Sequence, residues 1–305
     1  MERRTLRADL LLLATAAIWG FAFVAQRVGM QHVGPFTFNG VRFALGGLSL
    51  LPLVWLESRT FDRSSRRAAP PGRVVFWGPA LAGTALFLGA SLQQVGLVYT
   101  TAGKAGFITG LYVVIVPIMG LFWRQRPDAG TWLGALLAAA GLYLLSVSEA
   151  FTIAFGDLLE LLGAFFWAGH VLIIGWLSPR LPTIRLACLQ YAGCALLSLA
   201  TAVVYEPVAL SPILAAAVPI LYGGLASVGI AYTLQVVAQK DAPPAHAAIL
   251  LSLEAVFAAL GGWLLLGETL SLRGITGCAL MLVGMLSSQV HLFTNGLRRT
   301  SPSTA

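Results

Sequence analysis

Glu254 stands twelve residues into the apolar run 243–267, and a carboxyl at that depth fits two chemistries. Either it binds and releases a proton, or it only hydrogen-bonds a neighbouring helix, since hydrocarbon makes any other placement costly. Arg42 lies about 9 Å inside the run 36–56 at 1.5 Å per residue, where a guanidinium either receives an anionic group or snorkels back to water. Trp19 and Trp167 sit deep in their runs, away from the interfaces that tryptophans of the aromatic belt prefer, and form either an aromatic cavity wall or core packing. His170 follows Trp167 at i+3 on the same helix face and reads as a satisfied core histidine or a proton relay. Asn39, Gln94, Tyr112, Gln190, Tyr232 and Gln235 could donate hydrogen bonds into a cavity or between helices.

Lys104 heads the run 102–123 among Gly103, Gly106 and Gly110. A lysine so placed either snorkels to water or pairs with Glu160 or Glu268, at the same level of the membrane, when one side of the protein is closed. The glycines permit close helix crossing. Asp9 and Asp157 open their runs and read as helix caps that complement the dipole. Pro117 predicts a kink in the run 102–123.

Signatures of enzymes are missing. There is no H-E-x-x-H, G-x-S-x-G or P-loop. His32, His170, His246 and His291 are scattered, so neither a catalytic centre, a metal nor a cofactor is expected. Cys188, Cys194 and Cys278 all fall inside apolar runs and read as small packing residues.

These side chains must be positioned by elements suited to lipid. Hydrophobic residues make up 58% of the 305 positions and charged ones only 10%, against about 25% in ordinary soluble domains. Ten runs are long enough to cross about 30 Å of hydrocarbon: 8–28, 36–56, 73–99, 102–123, 130–148, 156–177, 184–205, 213–238, 243–267 and 272–291. The fold class predicted is therefore an all-α integral membrane protein of ten helices. The first run is longer than a secretory leader and continues straight into further spans, so it reads as a retained helix. With a cytoplasmic N-terminus, fifteen of the nineteen basic residues fall on the inner side and only Arg27 and Arg273 on the outer. That asymmetry predicts both termini in the cytoplasm and explains the net charge of +7 without any nucleic-acid partner. The basic loop Phe61–Arg73 reads as a solvated segment near anionic lipid.

The chain also repeats itself. A shift of 148 carries Asp9, Leu13 and Trp19 onto Asp157, Leu161 and Trp167, and sets Arg42 opposite Gln190. A shift of 141 pairs Gly83 with Gly224, Gln94 with Gln235 and Ile108 with Ile249, and 143 pairs Gly134 with Gly277 and Gly141 with Gly284. Five crossings reverse the second copy, so residues 1–150 and 151–305 are expected to be inverted repeats, a common plan of secondary transporters.

The segments RFALGG after Asn39, GLVYTTAGKAGFITGLYVVIVPI and LEAVFAALGGWLLLGE resemble the drug/metabolite transporter superfamily, in particular its EamA-type ten-helix members, over residues 8–290. The resemblance implies a 5+5 inverted repeat, cytoplasmic termini, a central cavity and, often, export of amino acids, metabolites or toxic compounds. The first half departs from it by ending in LFWRQRPD where LLLGE is usual, so a role for the terminal glutamate carries over only to Glu268. The expectation is a multi-pass carrier of the inner (plasma) membrane. It would bind a small-molecule substrate in the bilayer, with protons as a candidate coupling ion; a channel or a non-transporting scaffold is the alternative.

Overall fold

The protein is described by a computed structural model covering residues 2–61, 71–99, 102–146, 155–266 and 271–300, and every regular element among them is helical. The first half contains α1 (Glu2–Gly29), α2 (Pro35–Ser49), α3 (Leu51–Phe61), α4 (Gly72–Tyr99), α5 (Ala102–Gly110), α6 (Tyr112–Phe122) and α7 (Ala129–Ser146). The second contains α8 (Phe155–Leu177), α9 (Thr183–Tyr205), α10 (Leu210–Ala215), α11 (Ala217–Leu221), a π-helical segment (Tyr222–Tyr232), α12 (Thr233–Ala238), α13 (Pro244–Leu251), α14 (Glu254–Leu266) and α15 (Leu272–Thr300).

Eight of the ten predicted spans correspond to helical stretches long and apolar enough to cross a membrane. The fifth and tenth correspond to the shorter apolar helices Ala129–Leu145 and Leu272–Ser288. Prolines start α2 and α13, where a fixed φ suits the first turn and the missing N–H would have been an orphan anyway. Pro117 does not mark the interruption in the fourth span. The regular α-helical bonding is interrupted six residues earlier, by a tight turn at Leu111 that keeps helical dihedrals, between α5 and α6, and Pro117 sits inside α6. A second interruption, at Ser252 and Leu253, separates α13 from α14.

Helices pack as α2 on α9, α4 on α8, α1 on α14 and on the π segment, and α7 on α15. In the last pair the backbones themselves touch. A Cβ built on Gly141 would lie 2.5 Å from the carbonyl oxygen of Gly277, and one on Gly277 would lie 2.5 Å from that of Gly141. Gly134 and Gly284 meet in the same reciprocal way at 2.7 Å. Close approach of this kind is how membrane helices gain packing when lipid is as apolar as their own side chains.

Two glutamates far apart in sequence finish the packing of α2 and α3 on α9. The N–H groups of Phe36 and Thr37, both at 2.8 Å, donate to the carboxylate of Glu206, as does the Thr37 hydroxyl at 2.7 Å. At the other end the N–H groups of Ile184 (3.1 Å) and Arg185 (2.9 Å) donate to Glu57. Each carboxylate satisfies orphan donors at the positive end of the partner's dipole. Glu206→Ala is expected to lower stability by about 1–2 kcal/mol, seen as a lower unfolding temperature of the detergent-solubilised protein. Glu206→Gln should recover part of the loss.

Asp9 is not the cap its sequence position suggested. It lies within α1, is buried, and its Oδ1 is 2.8 Å from His246 Nε2. His246 Nδ1 is in turn 3.1 Å from the Ser288 hydroxyl, so one buried polar chain ties α1 to α13 and α15. Asp157 does fall in the first turn of its helix, α8.

Candidate functional site

Between the helices lies a narrow, partly open cavity lined from both halves of the chain. Its largest surface is aromatic. The Tyr232 ring lies 4.4 Å from Trp19 and 6.1 Å from Trp167, stacked on the latter at 21° between planes, and Phe43 and Tyr191 back it at 5.8 and 6.2 Å. Tyr232 ends the π segment, whose wide turns leave carbonyls for other partners. α1 supplies them: the Trp19 indole N–H donates to the Ser227 carbonyl at 3.3 Å and the Thr15 hydroxyl to that of Ala231 at 3.1 Å. The same contacts fix the Trp19 ring against the cavity.

Polar groups enter this wall at a few points. Arg42 is 3% exposed, so it does not snorkel; its guanidinium lines the cavity, 5.4 and 5.1 Å from the ring centres of Phe38 and Phe43. Its Nε–H donates to Asn39 Oδ1 at 3.0 Å, and Asn39 is held by its own amide donating to the Ala90 carbonyl at 3.1 Å. Glu254, the first residue of α14, faces the cavity and accepts a hydrogen bond from the Tyr112 hydroxyl at 3.2 Å. Tyr112 is the first residue of α6, so this bond joins the starts of the two helices that follow the tight turns at Leu111 and Ser252. His170 also lines the cavity, with Nε2 2.8 Å from Gln190 Oε1.

Eight residues singled out in the sequence therefore meet at one cavity: Trp19, Arg42, Tyr112, Trp167, His170, Tyr232, Gln235 and Glu254. Asn39 and Gln190 stand behind it as partners of Arg42 and His170. Glu160 also stands behind, fully buried, accepting the hydroxyl of the cavity residue Thr109 at 2.7 Å. The side chain of Lys104 and the whole of Glu268 lie outside the described residues. Gln94 is buried away from the cavity, and its neighbour Gln93 takes the lining position, accepting the Trp167 indole N–H at 2.9 Å. Gln94 was paired with Gln235 by the repeat, but only the second copy carries a π segment before that point. The extra residue in each π turn shifts the phase of everything after it. Phe23 and Gln26 were missed as well, although spacing from Trp19 at i+4 and i+7 could have found them on one helix face.

The sequence profile of the EamA-like transporter family matches residues 6–147 and again 154–288. The chain belongs to this family. An uncharacterized transporter of Archaeoglobus fulgidus is 33% identical to it over 284 residues, covering 93% of this transporter and 86% of the relative. The uncharacterized transporter YwfM of Bacillus subtilis is 29% identical, covering 91% and 92%, and the uncharacterized inner membrane transporter YedA of Escherichia coli 25%, covering 85% and 83%. One solved crystal structure shares the fold at a TM-score of 0.76 and 20% identity, covering 96% of this transporter and 99% of that chain. The protein is thus a multi-pass membrane protein and a transporter of the drug/metabolite type.

Proposed function

We propose that the transporter is a secondary carrier that exports small organic metabolites, such as amino acids, related compounds or drugs, by alternating access around this cavity. The observation that carries the reading is the cavity's construction. Both halves wall it, and the two tightened helical turns beside it, at Leu111 and Ser252, are 141 residues apart, the same shift that relates the two halves in sequence. Carriers built from inverted repeats place substrate and coupling-ion sites at the interface of the two repeats. In this reading residues 1–150 and 151–305 are two five-helix repeats of opposite orientation. One family match in each half and the pairings of α2 with α9 and α7 with α15 support it. Substrate would contact Arg42, His170, Gln235 and the aromatic wall, Glu254 would carry the coupling proton, and Lys104 with Glu160 or Glu268 would bias the closed state. Saturable counterflow in proteoliposomes tests the carrier. Flux that never saturates, or no flux, would favour a channel or a scaffold instead.

The distribution of arginine and lysine supports an orientation in the inner membrane with both termini cytoplasmic. Ser64→Cys is expected to react with an impermeant maleimide only from the cytoplasmic side and Thr152→Cys only from outside. Reaction of both from one side would break the inverted arrangement.

A further inference from the structure

We infer that the cavity recognises the carboxylate of a small organic acid, and that Arg42 is the residue that selects it. The inference rests on the carrier reading above and adds the chemical class of its substrate. Arg42 has five N–H donors, and among the described residues only Nε–H is committed, to Asn39. Among the described residues no acidic side chain pairs with its guanidinium. A cation held inside a membrane protein without a counter-ion is costly, and persists where a pathway or a ligand uses it.

Several contacts hold the group ready. Asn39 fixes the Nε edge and is itself bonded to Ala90, while Phe38 and Phe43 flank the plane. Gly223 leaves room for the stem, since a Cβ there would stand 3.3 Å from Arg42 Cδ. A carboxylate meets the fork of terminal nitrogens with two parallel charge-assisted bonds, a geometry that an ammonium cannot offer. The cavity that Arg42 lines is also walled by Trp19, Tyr232 and Trp167, which suits a flat apolar body rather than a sugar or a chain of hydroxyls. Glu254, the carboxyl at the same cavity, is bonded by Tyr112, not by Arg42. The cation thus stays available for a substrate anion.

Phenylacetate and phenylacetamide, alike in shape and differing in charge, are the probes, titrated calorimetrically into the full-length protein in detergent. The acid is expected to bind at least roughly tenfold more tightly than the amide, the scale of a charge-assisted pair. Arg42→Gln should erase the preference, and Arg42→Lys, which keeps the charge without the fork, should retain part of it. Equal binding of acid and amide to the native protein, or a preference kept in Arg42→Gln, overturns the assignment, as does failure to bind either probe. Native protein that shows counterflow only with neutral or cationic solutes in proteoliposomes would overturn the carboxylate class and leave the carrier standing. Absence of all counterflow would sink the carrier itself.

Discussion

Glu254→Gln is expected to abolish transport driven by a pH gradient while leaving exchange of substrate across the membrane intact. The carboxyl faces the cavity from the first turn of α14, with one hydrogen bond from Tyr112 and no ion pair to a cation among the described residues. Such a group can take up a proton when the cavity opens to one side and release it to the other, which couples a proton gradient to movement of substrate. Glutamine keeps the shape and can still accept the Tyr112 hydroxyl, so the fold and the exchange step should survive. It cannot bind or release a proton, so accumulation against a gradient should fall to the level of protein-free vesicles. The measurement is uptake in proteoliposomes with and without an imposed pH difference. A variant that still responds to the gradient would make Glu254 a packing residue.

Gly141→Leu should be the most damaging single change to stability. Its Cβ would fall 2.5 Å from the Gly277 carbonyl oxygen and 2.6 Å from Met281 Cγ, so α7 and α15 would have to separate along a seam where their backbones now touch. Overpacking of this kind costs about 3 kcal/mol, and here it also forfeits the contact between Gly134 and Gly284 two turns away. Loss of the monodisperse peak in size-exclusion chromatography and a sharp fall in unfolding temperature are the expected readings. Gly106→Ala is the control. No described atom lies within 4 Å of its would-be Cβ, and alanine is the better helix former by roughly 1 kcal/mol. Equal damage from the two variants would mean that glycine matters here for reasons other than helix approach.

The sequence by itself determined the class of solvent, where the helices run and the family. Hydropathy over about twenty residues reports burial in lipid whatever the neighbours are, so the expected spans agree with the helices to within a few residues over most of the chain. Repeat matching placed Gly134 opposite Gly277 and Gly141 opposite Gly284. The tertiary structure shows the contacts crossed, Gly134 with Gly284 and Gly141 with Gly277, as antiparallel packing of the two helices requires.

Which polar side chain turns to which space was decided only in three dimensions. Asp9 looked like a cap because it precedes an apolar run, but the helix extends back to Glu2 and the carboxylate finds His246 from a distant segment. Arg42 looked free to reach the interface until Asn39, Phe38 and Phe43 were seen to hold it inside. Gln93 rather than Gln94 reaches the cavity, a difference of one residue that rotates a side chain by about a quarter turn on a helix. Composition and period are sums along the chain and survive such small rotations. A binding cavity depends on the phase of each helix against partners more than a hundred residues away, and that phase is set by tight turns such as those at Leu111 and Ser252 and by the π turns before Tyr232, which leave almost no mark in hydropathy.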